Sequence, residues 1–438
     1  MALTSLRRMI GDEAAETLRT WKLEVYSNSI VKLHACKIAN NLGAGRWPAN
    51  YGHYMTGKNS FTKQVEVKMK TRIPWLVVLI YIVFVFLSQG VAQSSPVQKT
   101  RIAIVGLDHD HVWELLRYIA GEADAELVGI ADNHPDLINQ AKSQVPASVQ
   151  FYSDYIKMLD EAKPVAVFVT TANDRHLEIL RECAKRHIHY STEKPMATNA
   201  ADAREMERLA DQAGIKLMVN YWNAWVPSSY ALFDRAKSDD IGPLHTVIVQ
   251  YGHNGPKEIG VSKEFADWLY DPVKNGGGAI MDFGCYGAEW ALWLKGRPAR
   301  VYASARKLKT EQHNRVDDDA TITLGYPDAT VIIEASWDWP YNMDRVYVFG
   351  PKGSLLAQRG DLHFRPSSSP DTANPDGQPI ALSPLPHERS NPIAYLLDRI
   401  KTNQPIEGPL SSKLNVQVME ILDAARDSAR TGKAQELR

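Results

Sequence analysis

Residues 104–112, with the sequence IVGLDHDHV, have the pattern of a β-strand that turns directly into a helix. A dinucleotide-binding fold places the motif Gly-x-Gly-x-x-Gly at such a turn. Gly106 fills the first glycine position, but Asp108 and His111 replace the other two. Gly106 still permits the tight bend, whereas Asp108 adds a negative charge where the backbone should approach a diphosphate. We therefore expect Asp108→Gly to raise nucleotide affinity, and we expect protonated His109 or His111 to offset the charge of Asp108.

Short apolar runs alternate with amphipathic segments downstream of this turn. Six strand candidates alternate with helix candidates between residues 101 and 221. This order predicts a doubly wound parallel sheet, because right-handed crossovers leave few other topologies. Beyond Tyr221 the strand candidates are rich in β-branched and aromatic residues, and their short connections suit hairpins. The sequence therefore predicts an α/β Rossmann domain that binds NAD(P) over residues 99–220, followed by a substrate-binding α+β domain with an open, mainly antiparallel sheet over residues 221–438.

The first 98 residues are expected to lie outside both domains. Residues 75–87 are an unbroken apolar run behind Lys70 and Arg72. The run has the length of a signal-peptide core and is shorter than the ~20 residues of a membrane span. We predict that residues 69–98 are a signal peptide or membrane anchor plus a linker, and that residues 1–68 are an extension without a fold of its own. The protein is then exported, periplasmic or extracellular; if residues 73–92 are not cleaved, they anchor it in the cytoplasmic membrane.

The distribution of charge argues against a nucleic-acid partner. Residues 1–72 contain 12 Lys and Arg against 5 Asp and Glu, and the remainder contains 38 against 46. The main body is therefore acidic, which is unfavourable for binding phosphate backbones. Cys36, Cys183 and Cys285 are too few and too scattered for a disulfide framework or a zinc ribbon.

Two short motifs indicate the chemistry. Residues 191–197, STEKPMA, place Lys194 at the carboxyl end of the fifth predicted strand, the edge at which open α/β sheets bind ligands. Residues 276–286, GGGAIMDFGCY, follow with an Asp-x-Gly-x-Tyr pattern. In this order and spacing the chain resembles the Gfo/Idh/MocA oxidoreductases, and the glucose-fructose oxidoreductase branch in particular, over about residues 100–435. The resemblance implies a Rossmann domain, an open antiparallel sheet domain and hydride transfer to or from a nicotinamide.

The resemblance also implies roles for Lys194, Asp282 and Tyr286 as the catalytic residues. Tyr286 stands where many family members have a catalytic histidine. A tyrosine has an ordinary pKa of about 10, so its use as a base requires a nearby cation that favours the phenolate. We expect Lys194 to be that cation, Tyr286 to take the proton of a substrate hydroxyl, and Asp282 to orient the substrate.

Cofactor-binding residues are expected along the carboxyl edge of the Rossmann sheet. Asp132 ends the second predicted strand, where an acid bonds the adenosine ribose and repels a 2′-phosphate, so NAD is favoured over NADP. The alternative for Asp132 is a helix cap, and for His176 a purely structural role. The full predicted set is Gly106, His109, His111, Asp132, Thr170, Asn173, His176 and Glu193.

Tryptophans in the predicted substrate domain suggest platforms for the apolar face of a sugar ring. Trp222 and Trp268 are the predicted platforms, with Trp337 as a further candidate, although tryptophans at such spacings also occur in cores. A metal site at His109 and His111 with Asp108 and Asp110 lacks a third ligand at a fixed spacing, so no metal is predicted.

These observations predict an exported NAD(P)-dependent oxidoreductase that acts on the hydroxyl-bearing carbon of a sugar or sugar derivative. Two alternatives stay open: a redox-neutral glycoside-cleaving enzyme with tightly bound NAD, and a cofactor-free carbohydrate-binding protein on the same fold. The open face of the second sheet needs a cover, so we expect a homo-oligomer through that face.

Overall fold

The computed structural model describes residues 99–309, 315–370 and 372–437. The predicted signal peptide or anchor, the extension before it and Cys36 lie outside the described residues. No helix in these three ranges combines the length and the apolar character that crossing a membrane requires.

The first domain is built on a parallel sheet of six strands within residues 99–309, in the order β3-β2-β1-β4-β5-β6. Its strands are β1 (Thr100–Val105), β2 (Ala125–Ala131), β3 (Gln150–Tyr152), β4 (Ala166–Val169), β5 (His189–Glu193) and β6 (Leu217–Asn220). The strand order reverses between β1 and β4, which is the position at which doubly wound sheets bind ligands. The predicted Rossmann architecture is confirmed.

Helices connect the strands and cover both faces of this sheet. They are α1 (Val112–Gly121), α2 (Pro135–Lys142), α3 (Tyr155–Ala162), α4 (His176–Lys185) and α5 (Ala200–Ala213). The central strand β4 is buried at every residue, as expected for a parallel strand covered on two faces. Polar side chains begin two of the helices: Asp154 accepts a hydrogen bond from the Ile156 amide, and Asn199 accepts one from the Asp202 amide.

The second domain contains a mixed sheet of nine strands among the described residues, in the order β14-β13-β12-β11-β7-β10-β9-β8-β15. Its strands are β7 (Thr246–Gly252), β8 (Arg300–Arg306), β9 (Asp319–Gly325), β10 (Thr330–Ser336), β11 (Met343–Gly350), β12 (Gly353–Gln358), β13 (Asp361–Pro366), β14 (Gln378–Pro379) and β15 (Gln435–Glu436). All neighbouring pairs are antiparallel except β7 and β10. The expected open, mainly antiparallel sheet is confirmed; the sequence predicts the strands β7 to β11, and β12, β13, β14 and β15 are additional.

Six α-helices belong to the second domain among the described residues. They are α6 (Pro227–Lys237), α7 (Lys263–Leu269), α8 (Ala279–Asp282), α9 (Gly284–Lys295), α10 (Pro392–Lys401) and α11 (Ser412–Thr431). Helix α9 is buried on nearly all sides, and its alanines and tryptophans join the core that includes Ile322 and Ile333 of the sheet. The short helices α7 and α8 lead the chain back to the carboxyl edge of the first sheet.

Candidate active site

A cavity of about 840 Å³ lies between the carboxyl ends of β1 and β5 and the helices α7 to α9. Its wall includes Lys194 from the end of β5, Asp282 and Tyr286 from α8 and α9, and His111 from the start of α1. The structure therefore brings together the three predicted catalytic residues, although 88 residues separate Lys194 from Asp282. The Lys194–Pro195 peptide bond beside the cavity is cis.

Lys194 and Asp282 form a buried ion pair. The Lys194 ammonium donates a short hydrogen bond to Asp282 Oδ1 and a second bond, of 3.2 Å, to the Asp282 carbonyl oxygen. Burial alone would lower the pKa of Lys194, but the Asp282 carboxylate leaves that pKa raised. Burial would likewise raise the pKa of Asp282, and the ammonium leaves it lowered. Both groups are therefore charged at neutral pH.

The glycine-rich segment and a buried tryptophan hold Asp282 in place. The Asp317 carboxylate accepts hydrogen bonds from the amides of Gly278 (2.8 Å) and Ile280 (2.7 Å), which fixes the start of α8. A Cβ on Gly278 would lie 1.7 Å from the Asp317 carbonyl oxygen, so only glycine fits there. The Trp337 indole N–H donates to Asp282 Oδ2 at 2.9 Å. Trp337 is 0% exposed, so the expectation that it is a sugar platform is wrong.

Tyr286 lines the cavity, but its environment does not favour the predicted phenolate. Its ring stacks on Tyr251, with centroids 4.6 Å apart, and meets Tyr221 edge-on. Burial and nearby acidic groups raise the pKa of Tyr286 well above its usual value. The Lys194 ammonium lies 5.2 Å from the centroid of the Tyr286 ring and is bonded to Asp282. The expected activation of Tyr286 by Lys194 is therefore corrected: Tyr286 is a neutral phenol.

His253 is a cavity residue that the sequence analysis missed. It follows β7, lines the cavity and packs edge-on against Phe283. Its Nδ1 accepts a hydrogen bond of 2.9 Å from the Gly255 amide, so the neutral ring carries its proton on Nε2. Burial lowers the pKa of His253, which keeps the ring neutral. The residue is therefore suited to donate a hydrogen bond to an oxygen atom in the cavity.

Glu193 and His111 meet at the Rossmann edge of the cavity. Glu193 Oε2 lies 2.9 Å from His111 Nδ1, and Glu193 Oε1 accepts a hydrogen bond of 2.6 Å from the side-chain Nδ2 of Asn220. Burial would raise the pKa of Glu193, but His111, Asn220 and Lys194 leave it lowered. A buried carboxylate thus orients an imidazole whose side chain is 45% exposed.

The first glycine of the turn retains the geometry of a dinucleotide-binding bend. Gly106 has φ +89°, and a Cβ there would lie 2.3 Å from Thr171 Cγ2. The Thr170 hydroxyl donates to the Gly106 carbonyl at 2.7 Å. Asp132 Oδ2 accepts a bond of 2.7 Å from the Leu107 amide, so this acid fixes the turn itself. These residues fit a bound dinucleotide at the end of β1.

The second half of the turn is covered by α7. The Trp268 indole donates to the Asp108 carbonyl at 2.8 Å, and the His109 ring packs 4.3 Å from the Phe265 ring. Burial lowers the pKa of His109 well below its usual value, and burial with the nearby Asp132 raises the pKa of Asp108 to about 6. The expectation that protonated His109 offsets Asp108 is therefore wrong, because His109 is neutral.

Two other predicted cofactor residues make structural contacts. The side-chain Nδ2 of Asn173 donates to Asn275 Oδ1 at 2.7 Å, which links the loop after β4 to the second domain. His176 is fully buried, and its Nδ1 lies 3.1 Å from the Met196 carbonyl. Burial lowers the pKa of His176 to about 4. The position of His176 therefore favours a purely structural role over cofactor binding.

The two predicted sugar platforms have different environments. Trp222 is 44% exposed and lines the cavity, so it is placed where a sugar ring could stack. Trp268 is 3% exposed and packs with Phe265 and His109. The expectation for Trp268 is corrected, because its ring faces are occupied by protein.

A second buried acid, Glu289, lies on α9 one turn after Tyr286. Glu289 Oε2 accepts a hydrogen bond of 3.1 Å from the side-chain Nδ2 of Asn223. Among the described residues, Glu289 Oε1, Asn223 Oδ1 and the Tyr221 hydroxyl are buried without a hydrogen-bond partner. Burial raises the pKa of Glu289 to about 8. Sequence analysis missed this residue because nothing in its spacing distinguishes it from an exposed helical glutamate.

Family models match most of the described chain. The model of an oxidoreductase family with an NAD-binding Rossmann fold matches residues 100–221, and the model of the GFO/IDH/MocA C-terminal domain matches residues 231–356. The chain is 25% identical over 296 residues to D-xylose 1-dehydrogenase (NADP(+)) 2 of Haloferax volcanii, covering 65% of this chain and 84% of that protein.

Two further similarities concern a partial relative and a solved structure. Trans-1,2-dihydrobenzene-1,2-diol dehydrogenase of Macaca fascicularis is 27% identical over 40% of this chain, which spans about half (49%) of that relative. Aldose-aldose oxidoreductase from Caulobacter crescentus, solved with glycerol, superimposes with a TM-score of 0.66 at 23% identity, covering 78% of this chain and 100% of that one. The latter likeness supports the fold.

Proposed function

Because the chain belongs to the Gfo/Idh/MocA family of NAD(P)-dependent oxidoreductases, we propose that it oxidises a hydroxyl-bearing carbon of a sugar or sugar derivative. The single observation that carries this proposal is the buried Lys194–Asp282 ion pair on the wall of the cavity. Membership of this family supports hydride transfer by the chain, and the ion pair offers an acceptor for the hydroxyl proton of the substrate.

Residues of the Rossmann domain that would hold the cofactor are Gly106, Thr170 and Asp132. Gly106 preserves the bend and Thr170 closes it. The acid at Asp132, which directly follows β2, disfavours a 2′-phosphate, so NAD rather than NADP is our proposed cofactor. When bound, NAD supplies the acceptor for the substrate hydride.

The chain's own residues handle the substrate oxygen and its proton. An ammonium has three N–H donors, and Lys194 uses two of them on Asp282. The third can bond the substrate hydroxyl and stabilise the charge that develops on its oxygen as the hydride leaves. The hydroxyl proton then passes to Lys194 Nζ while a Lys194 proton moves to Asp282 Oδ1, which leaves the carbonyl product, a lysine ammonium and a neutral Asp282.

Other cavity residues orient the substrate. Tyr286, as a neutral phenol, and His253, through Nε2–H, offer hydrogen bonds to substrate oxygens. Trp222 offers an exposed ring for the apolar face of a sugar. This combination of polar groups and an aromatic platform suits a polyhydroxylated substrate.

The test uses the purified full-length chain. Denaturation followed by mass spectrometry identifies retained NAD or NADP, and added aldoses are then tested for NADH formation. Release of NAD with sugar-dependent NADH formation would support the proposal. Absence of nucleotide binding, with or without added cofactor, would overturn it and favour the cofactor-free carbohydrate-binding alternative. Retained NAD with glycoside cleavage but no net NADH would favour the redox-neutral alternative.

Export and self-association are separate proposals. The apolar run at residues 75–87 supports export through a signal peptide, and N-terminal sequencing of protein from cell fractions tests it. The exposed Tyr302 on β8 supports a homo-oligomer through the second sheet. Light scattering of Tyr302→Glu tests this, and an unchanged mass would contradict it.

A further inference from the structure

The sequence places His109 and His111 on one turn but offers no third ligand near them. The structure supplies it from β5: one ligand atom each of His109, His111 and Glu193 lies within 4.8 Å of the others. From this juxtaposition we propose that the chain binds a divalent transition-metal ion, with Zn²⁺ as the representative ion, between the turn after β1 and the end of β5. The site borders the cavity and the turn of the proposed hydride transfer, and its test reads metal binding rather than turnover.

The donor set suits such an ion. Two imidazoles and one carboxylate bind zinc in catalytic sites and iron in open non-haem sites, and they leave further positions for water or substrate. Zinc bonds to nitrogen and oxygen are about 2.0–2.2 Å long, so two ligand atoms of a tetrahedral zinc ion lie roughly 3.3–3.6 Å apart. The three ligand atoms lie within 4.8 Å of one another. Side-chain rotations that shorten these separations by up to roughly 1.5 Å would complete the site.

The surroundings of the three ligands resemble those of a supported metal site. Asn220 donates to Glu193 Oε1 at 2.6 Å, and the Trp225 indole donates to Asn220 Oδ1 at 2.8 Å. This chain of hydrogen bonds fixes the carboxylate and leaves Glu193 Oε2 directed at His111. The bond from the His111 amide to His109 Nδ1 is long, at 3.3 Å, and an ion can replace it.

Access and charge also favour the ion. His111 is partly exposed and lines the cavity, which provides an entry path. Asp110, between the two histidines, has a buried Oδ1 without a partner among the described residues, and it can accept a hydrogen bond from a metal-bound water. The nearby Lys194 ammonium is neutralised by Asp282, so the carboxylate of Glu193 keeps the local charge negative.

The test measures metal binding rather than activity. The full-length chain, stripped with a chelator, is titrated with ZnCl₂ by calorimetry and with CoCl₂ by visible absorption. We expect one equivalent of metal with nitrogen and oxygen ligation. His111→Asn and Glu193→Gln should each weaken binding at least tenfold, and Asn220→Ala should weaken it about 10–100-fold by releasing the carboxylate. The matched control is His253→Asn, which removes a histidine from the same cavity and should leave the affinity unchanged.

Circular dichroism establishes that each variant is folded; His111 is partly exposed, so its replacement is the variant best tolerated by the fold. No saturable binding by the wild-type chain would overturn the proposal. Equal binding by the wild type and a folded His111→Asn variant would also overturn it, because His111 and Glu193 would then form only a hydrogen bond to each other.

Discussion

Asp282 and Glu289 are two buried acids seven residues apart on neighbouring helices, and they differ in their hydrogen-bond partners. Asp282 has a cation, Lys194, and an indole N–H as partners, whereas Glu289 has a single amide donor. The pKa of Asp282 is lowered, and the pKa of Glu289 is raised to about 8. Burial acts on both, so the partner decides which acid keeps its charge. Only the charged acid faces the cavity.

The largest expected difference between the two acids is in catalysis. Asp282→Asn removes the proton acceptor of the ion pair and should lower the turnover rate about 10²–10⁴-fold. Glu289→Gln replaces a neutral acid with a neutral amide of the same shape and should change the rate less than about threefold. Steady-state NADH formation by both full-length variants measures this. Equal losses of turnover rate in the two variants would contradict the different roles assigned to Asp282 and Glu289.

Removal of the cation tests why Asp282 stays charged. Lys194→Met leaves a buried carboxylate without its partner and should lower the free energy of unfolding by about 3–5 kcal/mol. The double variant Lys194→Met/Asp282→Asn should recover part of this loss, because no buried charge is left. Urea unfolding of the wild type, both single variants and the double variant completes a double-mutant cycle, which measures the interaction energy between Lys194 and Asp282. Additive losses would contradict a direct interaction.

The raised pKa of Glu289 should make the stability of the protein depend on pH. Glu289 loses its proton near its ordinary pKa of 4.5 when unfolded but near pH 8 when folded. The ionisation of Glu289 therefore lowers the free energy of unfolding increasingly as pH rises from about 4.5 to 8. Above pH 8 this contribution stays constant. The Glu289→Gln variant has no carboxyl group at this position, so its free energy of unfolding should not fall in this way. The difference in free energy of unfolding between the variant and the wild type should therefore grow across that pH window to about 2–4 kcal/mol. Thermal unfolding from pH 5 to 9 measures it; a constant difference would show that Glu289 is ionised in the fold.

A third acid, Asp108, should have a smaller influence, and it should act on the affinity for NAD. Its charge lies on the turn where a diphosphate would bind, so Asp108→Gly should raise the affinity for NAD by a few-fold, or about 1 kcal/mol. Fluorescence titration of the wild type and the variant with NAD measures this change. Asp136→Gly, on the surface of α2, is the control for charge alone. A weaker affinity in Asp108→Gly would show that the aspartate contributes to binding.

The sequence predicted most of the fold and the centre of the site. The alternation of strands and helices up to Asn220 defined the parallel sheet, because each element carries its own periodicity. Lys194 and Asp282 were found because their motifs are short and ordered along the chain. The contacts of Glu193 with His111 and of Trp337 with Asp282 join residues that are 82 and 55 positions apart. No local pattern encodes such pairs.

The expectations that proved wrong share a physical cause. His109 was expected to be protonated and Trp268 and Trp337 to be exposed, and all three are buried where the second domain meets the Rossmann edge. Burial there depends on how α7 and β10 pack on the turn and on α8, which local sequence does not specify. The predicted phenolate of Tyr286 failed for the same reason, since its ring is enclosed by Tyr221 and Tyr251.

Isotope transfer tests most directly whether the Lys194–Asp282 pair supports hydride transfer. The full-length chain is incubated with NAD and aldoses deuterated at their hydroxyl-bearing carbons, and the cofactor is analysed by mass spectrometry. We predict deuterium on the nicotinamide with the wild type and with Glu289→Gln, and about 10²–10⁴-fold slower incorporation with Asp282→Asn. A cofactor free of deuterium with the wild type, or equal incorporation by Asp282→Asn, would contradict the role assigned to the ion pair.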